Sequence, residues 1–257
     1  MFFKPKFRYR DAVVIVTGAT GGIGRAMTVR LVAAGANVVG IGRRQERLDE
    51  LVSKLGDRFR GVRGDITRSA DRERLVESAS QIGGGSIDVL INNAGIGAIG
   101  QFEDASEDRM RRIFEVDFFA PVELTRLCLP HLRRSSIAAI GNIGSVLGHR
   151  AVPEKSEYSA AKFALHGWTD SLRVELRGKI SVTLISPSTT QSEFFDSLVD
   201  TEPEVQSRSI GAWPADRVAA AGLSAIARRR REVILSPAGK ALVYADRIMP
   251  DIVDRLL

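Results

Sequence analysis

Only one cysteine, Cys128, occurs in the 257-residue chain, so neither an intrachain disulfide nor a cysteine-built metal site can form. It falls in an apolar helical run, where a thiol packs as a small, inert hydrophobe. Histidine is scarce as well: His131, His149 and His166 show no ligand spacing, and no metal is expected. No stretch approaches the roughly 18 apolar residues that a membrane-crossing helix needs. The first dozen residues are basic and aromatic, and they lack the apolar core and small-residue cleavage site of a secretory leader. These absences argue against disulfide-stapled secreted scaffolds and integral membrane proteins, and a reducing cytoplasm is the simplest expected location.

Acidic residues are in deficit, 31 against 37 Lys and Arg, for a net charge of +6. The excess is local, in residues 4–10, Arg43-Arg44, Arg133-Arg134 and 228–231. No helix-turn-helix, finger or RNP pattern accompanies these runs, so nucleic acid is not an expected partner. Solvated arginines, an anionic cofactor phosphate or a lipid surface account for them. With 44% hydrophobic and 26% charged residues, the chain suits one sizeable α/β domain over residues 1–257.

Ala12 to Val16 is a short β-branched run, as a strand buried on both faces should be. Thr17-Gly18-Ala19-Thr20-Gly21-Gly22-Ile23-Gly24 follows, then a helix from Arg25 to Ala34. Strand, glycine turn and helix together form a cradle in which backbone N–H groups and the helix N-terminus meet a pyrophosphate. A second strand, Asn37 to Gly42, ends at Arg43 and Arg44, where an acidic residue would favour the ribose hydroxyls of NAD. Arginine there suits a 2′-phosphate, and hence NADP. A third strand, Arg58 to Arg63, leads to Asp65 and Ile66; Asp65 either caps the helix Ser69 to Ile82 or bonds an adenine amine. A fourth strand, Ile87 to Ile91, precedes Asn92-Asn93-Ala94-Gly95. Helical segments Ser106 to Phe119 and Pro121 to Leu132 are parted near Pro121.

A fifth strand, Ile137 to Ile143, delivers Ser145 to the crevice where open α/β sheets bind ligands. Thirteen residues on, Tyr158 and Lys162 stand one helical turn apart on one face. A lysine beside a phenol favours the phenolate, so the Tyr158 pKa is expected to fall from about 10 towards neutral. The intervening loop offers His149 and Arg150 as candidate substrate contacts. Ile180 to Ile185 and Glu232 to Leu235 read as a sixth and a seventh strand, with a helix from Asp216 to Arg229. Residues 187–213 read as a substrate lid whose Phe194, Phe195 and Leu198 lean towards a hydrophobic substrate. Residues 237–257 read as a helical extension that covers the core or a subunit neighbour, with a membrane surface as the alternative.

The ordered set Thr17-Gly18-x-x-x-Gly22-x-Gly24, Asp65, Asn92-Asn93-Ala94-Gly95, Ser145 and Tyr158-x-x-x-Lys162 resembles the classical short-chain dehydrogenase/reductase family over nearly the whole chain. The resemblance implies a Rossmann-like, doubly wound parallel sheet of about seven strands in three α/β/α layers. It implies an oxidoreductase that interconverts a carbonyl and an alcohol by hydride transfer, with NADP(H) preferred over NAD(H). In that scheme Ser145 holds the carbonyl oxygen, Tyr158 is the general acid/base, and Lys162 bonds the nicotinamide ribose. Thr17, Gly18, Gly22, Ile23 and Gly24 cradle the pyrophosphate, while Arg43 and Arg44 take the 2′-phosphate. Asp65 and Ile66 face the adenine beside Asn92, Ala94 and Gly95, and Pro187, Thr190 and Ser192 border the nicotinamide. A homodimer or homotetramer is implied, packed through the catalytic helix and the long helix before it. The chain departs from the family at Asp117, where an asparagine of the proton relay is usual, and at Ser188 and Ser192, which replace glycine and threonine. Asp117 reads as a working variant, a pKa-shifting change or a sign of weakened activity. Two alternatives follow: a reductase of 3-oxoacyl chains on an acidic carrier docked by Arg133, Arg134 and Arg173, or a cofactor-binding sensor or scaffold.

Overall fold

The first elements fall where apolar alternation and glycine punctuation place them. The computed structural model describes residues 6–191, 198–199 and 212–257. The strands are β1 (Val13–Thr17), β2 (Asn37–Gly42), β3 (Phe59–Arg63), β4 (Val89–Asn92), β5 (Ala139–Ile143), β6 (Ser181–Ser186), β7 (Thr190–Gln191), β8 (Trp213–Pro214) and β9 (Glu232–Ile234). The helices are α1 (Gly22–Ala33), α2 (Gln45–Leu55), α3 (Ser69–Ile82), α4 (Glu107–Phe114), α5 (Ala120–Leu132), α6 (Ser156–Glu175), α7 (Ala215–Ala227), α8 (Pro237–Ile248) and α9 (Pro250–Leu256). Seven strands form one parallel sheet in the order β3-β2-β1-β4-β5-β6-β9, and β7 pairs with β8 in a separate parallel ribbon. The order reverses between β1 and β4, which opens a crevice at the carboxyl ends of those strands.

Successive strand residues point to opposite faces, and both faces are covered. Val14 and Val16 join Met27 and Leu31 of α1, Leu48 and Leu51 of α2 and Ile226 of α7. Val13 and Ile15 join Leu75 of α3, Leu124 and Leu132 of α5 and Leu172 of α6. Cys128 is fully buried in that second layer, and burial pushes its thiol pKa far up, which leaves it inert.

Four local expectations are corrected. The fifth strand starts at Ala139 rather than Ile137, whose N–H is taken by the Ser135 hydroxyl at 3.1 Å. The Pro121 break is not a kink between two helices but a π-helical turn over Glu115–Phe119 that runs on into α5. Pro121 has no N–H to offer the carbonyl four residues back, at Asp117, so the ladder widens by one residue there. Asp65 does not cap α3, whose first turn follows Arg68 without a side-chain cap; its carboxylate instead accepts from Thr67 N and Oγ1 at 3.0 and 2.8 Å. The C-terminal segment is two helices, because Met249 leaves helical geometry ahead of Pro250. Among the described residues, no helix is long and apolar enough to cross a membrane. Of the expected lid, Ser192, Phe194 and Phe195 lie outside the described residues, and Leu198 forms a bridge with Gly97.

Candidate active site

The glycine turn after β1 is built by close approach. Gly18 has φ +63, and a Cβ on Gly24 would fall 2.2 Å from the Gly18 carbonyl and 2.4 Å from Asn93 Nδ2. Only hydrogen at Gly24 lets α1 start this close to β1. Asn93 locks the turn by donating to the carbonyls of Thr17 at 2.8 Å and Gly18 at 3.4 Å. The resulting cavity of about 510 Å³ runs along the carboxyl edge of the sheet. Its walls contain Gly18, Gly22 and Ile23 at the turn, Arg43 and Arg44 after β2, and Asp65 and Ile66 after β3. Ala94 and Gly95 after β4 continue it to Ser145, Tyr158, Lys162, Pro187 and Thr190. This cradle, free of side chains where a pyrophosphate would lie and edged by two guanidinium groups, fits a dinucleotide phosphate.

Three expected cofactor residues turn inwards instead. Thr17 is fully buried, and its hydroxyl accepts from the N–H groups of Asn93 and Ala94, both at 2.9 Å, which ties β1 to the end of β4. Asn92 donates to Thr125 Oγ1 at 3.1 Å and Asn142 Oδ1 at 2.8 Å, stitching β4 to α5 and β5 under the floor. Gly24 packs against the turn rather than facing the cavity. The sequence reading missed other wall residues, Thr20 and Lys155, and Ala238, Gly239 and Leu242 of α8, while Leu198, expected in the lid, does line the cavity. Burial pulls the Lys155 ammonium below its ordinary range. The α8 residues make the C-terminal segment a wall of the cavity, a role visible only once the helix folds back on Val146.

At the far end stands a buried polar cluster. Lys162 Nζ donates to the Ile143 carbonyl at 3.2 Å and lies 5.5 Å from the Tyr158 ring centre. Tyr158 is hydrogen-bonded to Ser145, whose Oγ also accepts from Leu147 N at 3.1 Å. Asp117, fully buried on the π turn, places Oδ2 3.0 Å from Lys162 Nζ and accepts from Ile96 N–H on Oδ1 at 2.8 Å. Gly95 leaves room for this pair, since a Cβ there would sit 3.2 Å from Asp117 Oδ2. Burial pushes the Asp117 carboxyl up, against the pull of Lys162 and the Ile96 N–H. Burial pulls the Lys162 ammonium down, but the negative charges of Asp117 and Tyr158 outweigh it and the net direction is up. Both partners move upwards, so the lysine stays protonated. The expected depression of Tyr158 is overturned: burial raises its pKa and Asp117 adds to the rise, outweighing Lys162 and the Ser145 hydrogen bond.

Arg173, expected on a docking surface, is spent internally on the Val182 carbonyl at 3.0 Å and on Asp170. Arg133 and Arg134 precede β5, so they sit at the amino edge of the sheet, away from the cavity.

Residues 12–203 match the family model described as short chain dehydrogenase. An uncharacterized oxidoreductase, YxnA, of Bacillus subtilis (strain 168) is 34% identical over 97% of this chain and 72% of its own length. Dehydrogenase/reductase SDR family member 7B of Bos taurus is 34% identical over 96% of this chain and 81% of its own. A short chain dehydrogenase/reductase from Burkholderia phymatum, solved in complex with NAD, superposes with a TM-score of 0.86 at 26% identity, covering 96% of both chains. One from Burkholderia cenocepacia J2315, solved in complex with NADP, gives 0.82 at 25% identity over 98% of this chain and 99% of that one. With a matching family model over most of its length and relatives this similar across nearly all of it, the chain belongs to the short-chain dehydrogenase/reductase family of NAD(P)-linked oxidoreductases.

Proposed function

We propose that this protein is an NADP(H)-dependent oxidoreductase that interconverts a carbonyl and an alcohol on a hydrophobic substrate. One observation carries the reading: a single cavity has a glycine turn and two arginines at one end and Ser145, Tyr158 and Lys162 at the other. The bound nicotinamide would supply or take up the hydride. The Ser145 hydroxyl would hold the carbonyl oxygen, and the Tyr158 phenol would donate its proton to that oxygen in reduction and recover it in oxidation. The Lys162 ammonium would hold the phenolate that remains, and Asp117 would hold Lys162. Arg43 and Arg44 favour the 2′-phosphate, and no acidic side chain stands at the end of β2 to favour NAD. Leu198 and Leu242 on the open side support an apolar substrate. The exposed Met110, Phe119 and Phe163 of the α4–α6 region support a homo-oligomer, to be read by light scattering. A cytoplasmic location and a lipid contact by α8 and α9 belong to this reading as expectations.

The test is a fluorescence titration with NADPH and NADH, followed by a panel of aromatic and aliphatic ketones. Tighter NADPH binding that is lost in Arg43→Ala supports the proposal; equal or tighter NADH binding sinks the NADP assignment. A second reading, a cofactor-binding sensor with weakened turnover, is favoured by the Asp117–Lys162 pair alone. NADPH binding without turnover on the panel, with turnover gained in Asp117→Asn, would select it. The carrier-protein reading loses its support, because Arg173 is engaged and Arg133 and Arg134 lie at the opposite edge.

A further inference from the structure

Outside the cavity, three side chains far apart in sequence converge: His149 after the short turn Val146–Gly148, His166 on α6 and Glu232 at the start of β9. One ligand atom from each lies within 4.8 Å of the others. We propose that they form a site for a divalent transition metal, zinc by class, which staples the loop after Ser145 to α6 and β9.

The chemistry of the donors is that of zinc. Two imidazoles and one carboxylate, with an open position for water, are a recurrent zinc set and too poor in oxygen for Mg²⁺ or Ca²⁺. Bonds of about 2.0–2.1 Å in a tetrahedron put donor atoms roughly 3.4 Å apart, so shifts of about an ångström close the set. The imidazoles are prepared for it. His166 Nδ1 is 3.1 Å from the Gly148 carbonyl, which can only accept; Nδ1 therefore carries the proton and Nε2 keeps its lone pair. The His149 side chain is 1% exposed, and its Nδ1 is buried without a hydrogen-bond partner. Its Nε2 is 3.1 Å from Ser186 Oγ and 2.8 Å from Glu232 Oε1, an ion pair when the imidazole carries a proton there. An imidazole nitrogen and a carboxylate oxygen already face each other here, and a cation between them would take the place of the proton. The rings of His149 and His166 lie 4.4 Å apart, and Asp170 Oδ2, which accepts from Arg231 at 2.9 Å, is 3.9 Å from His166 Nε2.

The position gives the site a consequence. Gly148 packs so closely on α6 that a Cβ would lie 2.7 Å from the Lys162 carbonyl. A metal on His149 and His166 would therefore hold the Ser145 loop in register with the helix that carries Tyr158 and Lys162. These residues act on the site through position only.

The experiment is titration of tag-free, chelator-treated protein with Zn²⁺ by calorimetry and with Co²⁺ by visible absorption, neither of which needs a substrate or turnover. The expected result is one saturable site per chain, Co²⁺ bands of low coordination number, and a rise in melting temperature with Zn²⁺ but not Mg²⁺. His166→Gln and Glu232→Gln should each weaken binding at least about tenfold, while His131→Gln on the opposite edge leaves it unchanged. Absence of a saturable 1:1 site in the unaltered chain overturns the proposal whatever the variants do, as does binding that survives both substitutions or is lost in His131→Gln.

Discussion

Replacing Asp117 by asparagine removes a charge while keeping the shape. The amide oxygen can still accept from Ile96 N–H, so the π turn stays anchored. Lys162 Nζ is 5.5 Å from the Tyr158 ring centre, and at an effective dielectric constant of about 20 its charge favours the phenolate by about 3 kcal/mol. The Asp117 carboxylate opposes it. Laying the 3.0 and 5.5 Å legs end to end puts its Oδ2 at most about 8.5 Å from the ring, where a unit charge disfavours the phenolate by about 2 kcal/mol, or about 1.4 pK units. Tyr158 should therefore ionise at least about 1.4 units lower in Asp117→Asn. Alcohol oxidation needs the phenolate, so kcat/KM for oxidation rises with pH up to the Tyr158 pKa. At a pH below that limb, the variant should oxidise at least about 25 times faster, by the conversion of 1.36 kcal/mol to one pK unit. Reduction needs the phenol and should change little at neutral pH. The assay is the pH profile in both directions, with ultraviolet difference titration of the phenolate against a Tyr158→Phe control as a check that needs no substrate. An unmoved or raised limb would refute the electrostatic role given to Asp117.

Tyr158→Phe should cost about 10² to 10⁴ in turnover and leave cofactor affinity within twofold, checked by steady-state rates beside a binding titration; unchanged turnover removes Tyr158 as the proton donor. Gly24→Ala should abolish dinucleotide binding and lower the melting temperature, because its Cβ would lie 2.2 Å from the Gly18 carbonyl; wild-type binding would show that the turn is not the cradle. The Arg109–Glu157 pair, 2.6 Å apart and 4% and 2% exposed, joins α4 to the first turn of α6. Arg109→Met should cost about 3–5 kcal/mol by stranding a buried carboxylate, or roughly 6–15 °C in melting temperature. Adding Glu157→Leu should recover much of that loss, and a double variant as unstable as the single one contradicts the account. Burial pushes the Glu157 carboxyl up, but its own backbone N–H and Arg109 outweigh this and the net direction is below the ordinary 4.5. Its contribution to stability is therefore complete above about pH 4.5 and drains as pH falls through the lower folded value, which acid melts of the parent and Glu157→Gln would resolve.

The sheet was readable because each strand is an apolar run whose two faces are both buried, so Val13 to Val16 could be nothing else once a glycine turn followed. The strand order was less so, since nothing local to β4 says that it pairs with β1 rather than β3. The π turn at Asp117 depends on a proline whose effect falls four residues upstream, and the β7–β8 ribbon is two residues a side, too short for any periodic signal.

Within the site, what could be read was whatever a turn or a helix fixes locally: Gly18 with Gly24, and Tyr158 with Lys162. What could not be read was which way a polar side chain turns at a strand end. Thr17 and Asn92 stand beside the cavity in sequence, but the Thr17 hydroxyl goes to backbone N–H groups left unpaired at the strand ends, and the Asn92 amide goes to the Thr125 and Asn142 side chains under the floor. Asn93, one residue on, lines the cavity and locks the glycine turn. The same limit applied to Tyr158, where helical spacing correctly set the lysine beside the phenol but said nothing of burial or of a carboxylate reached through a different helix. Local spacing fixes which groups meet, whereas the sign of their mutual effect depends on every charge that the fold brings within a few ångströms. That is why Asp117, legible only as a departure from an expected asparagine, decides the acid–base behaviour of the tyrosine more than any residue of its own helix except Lys162.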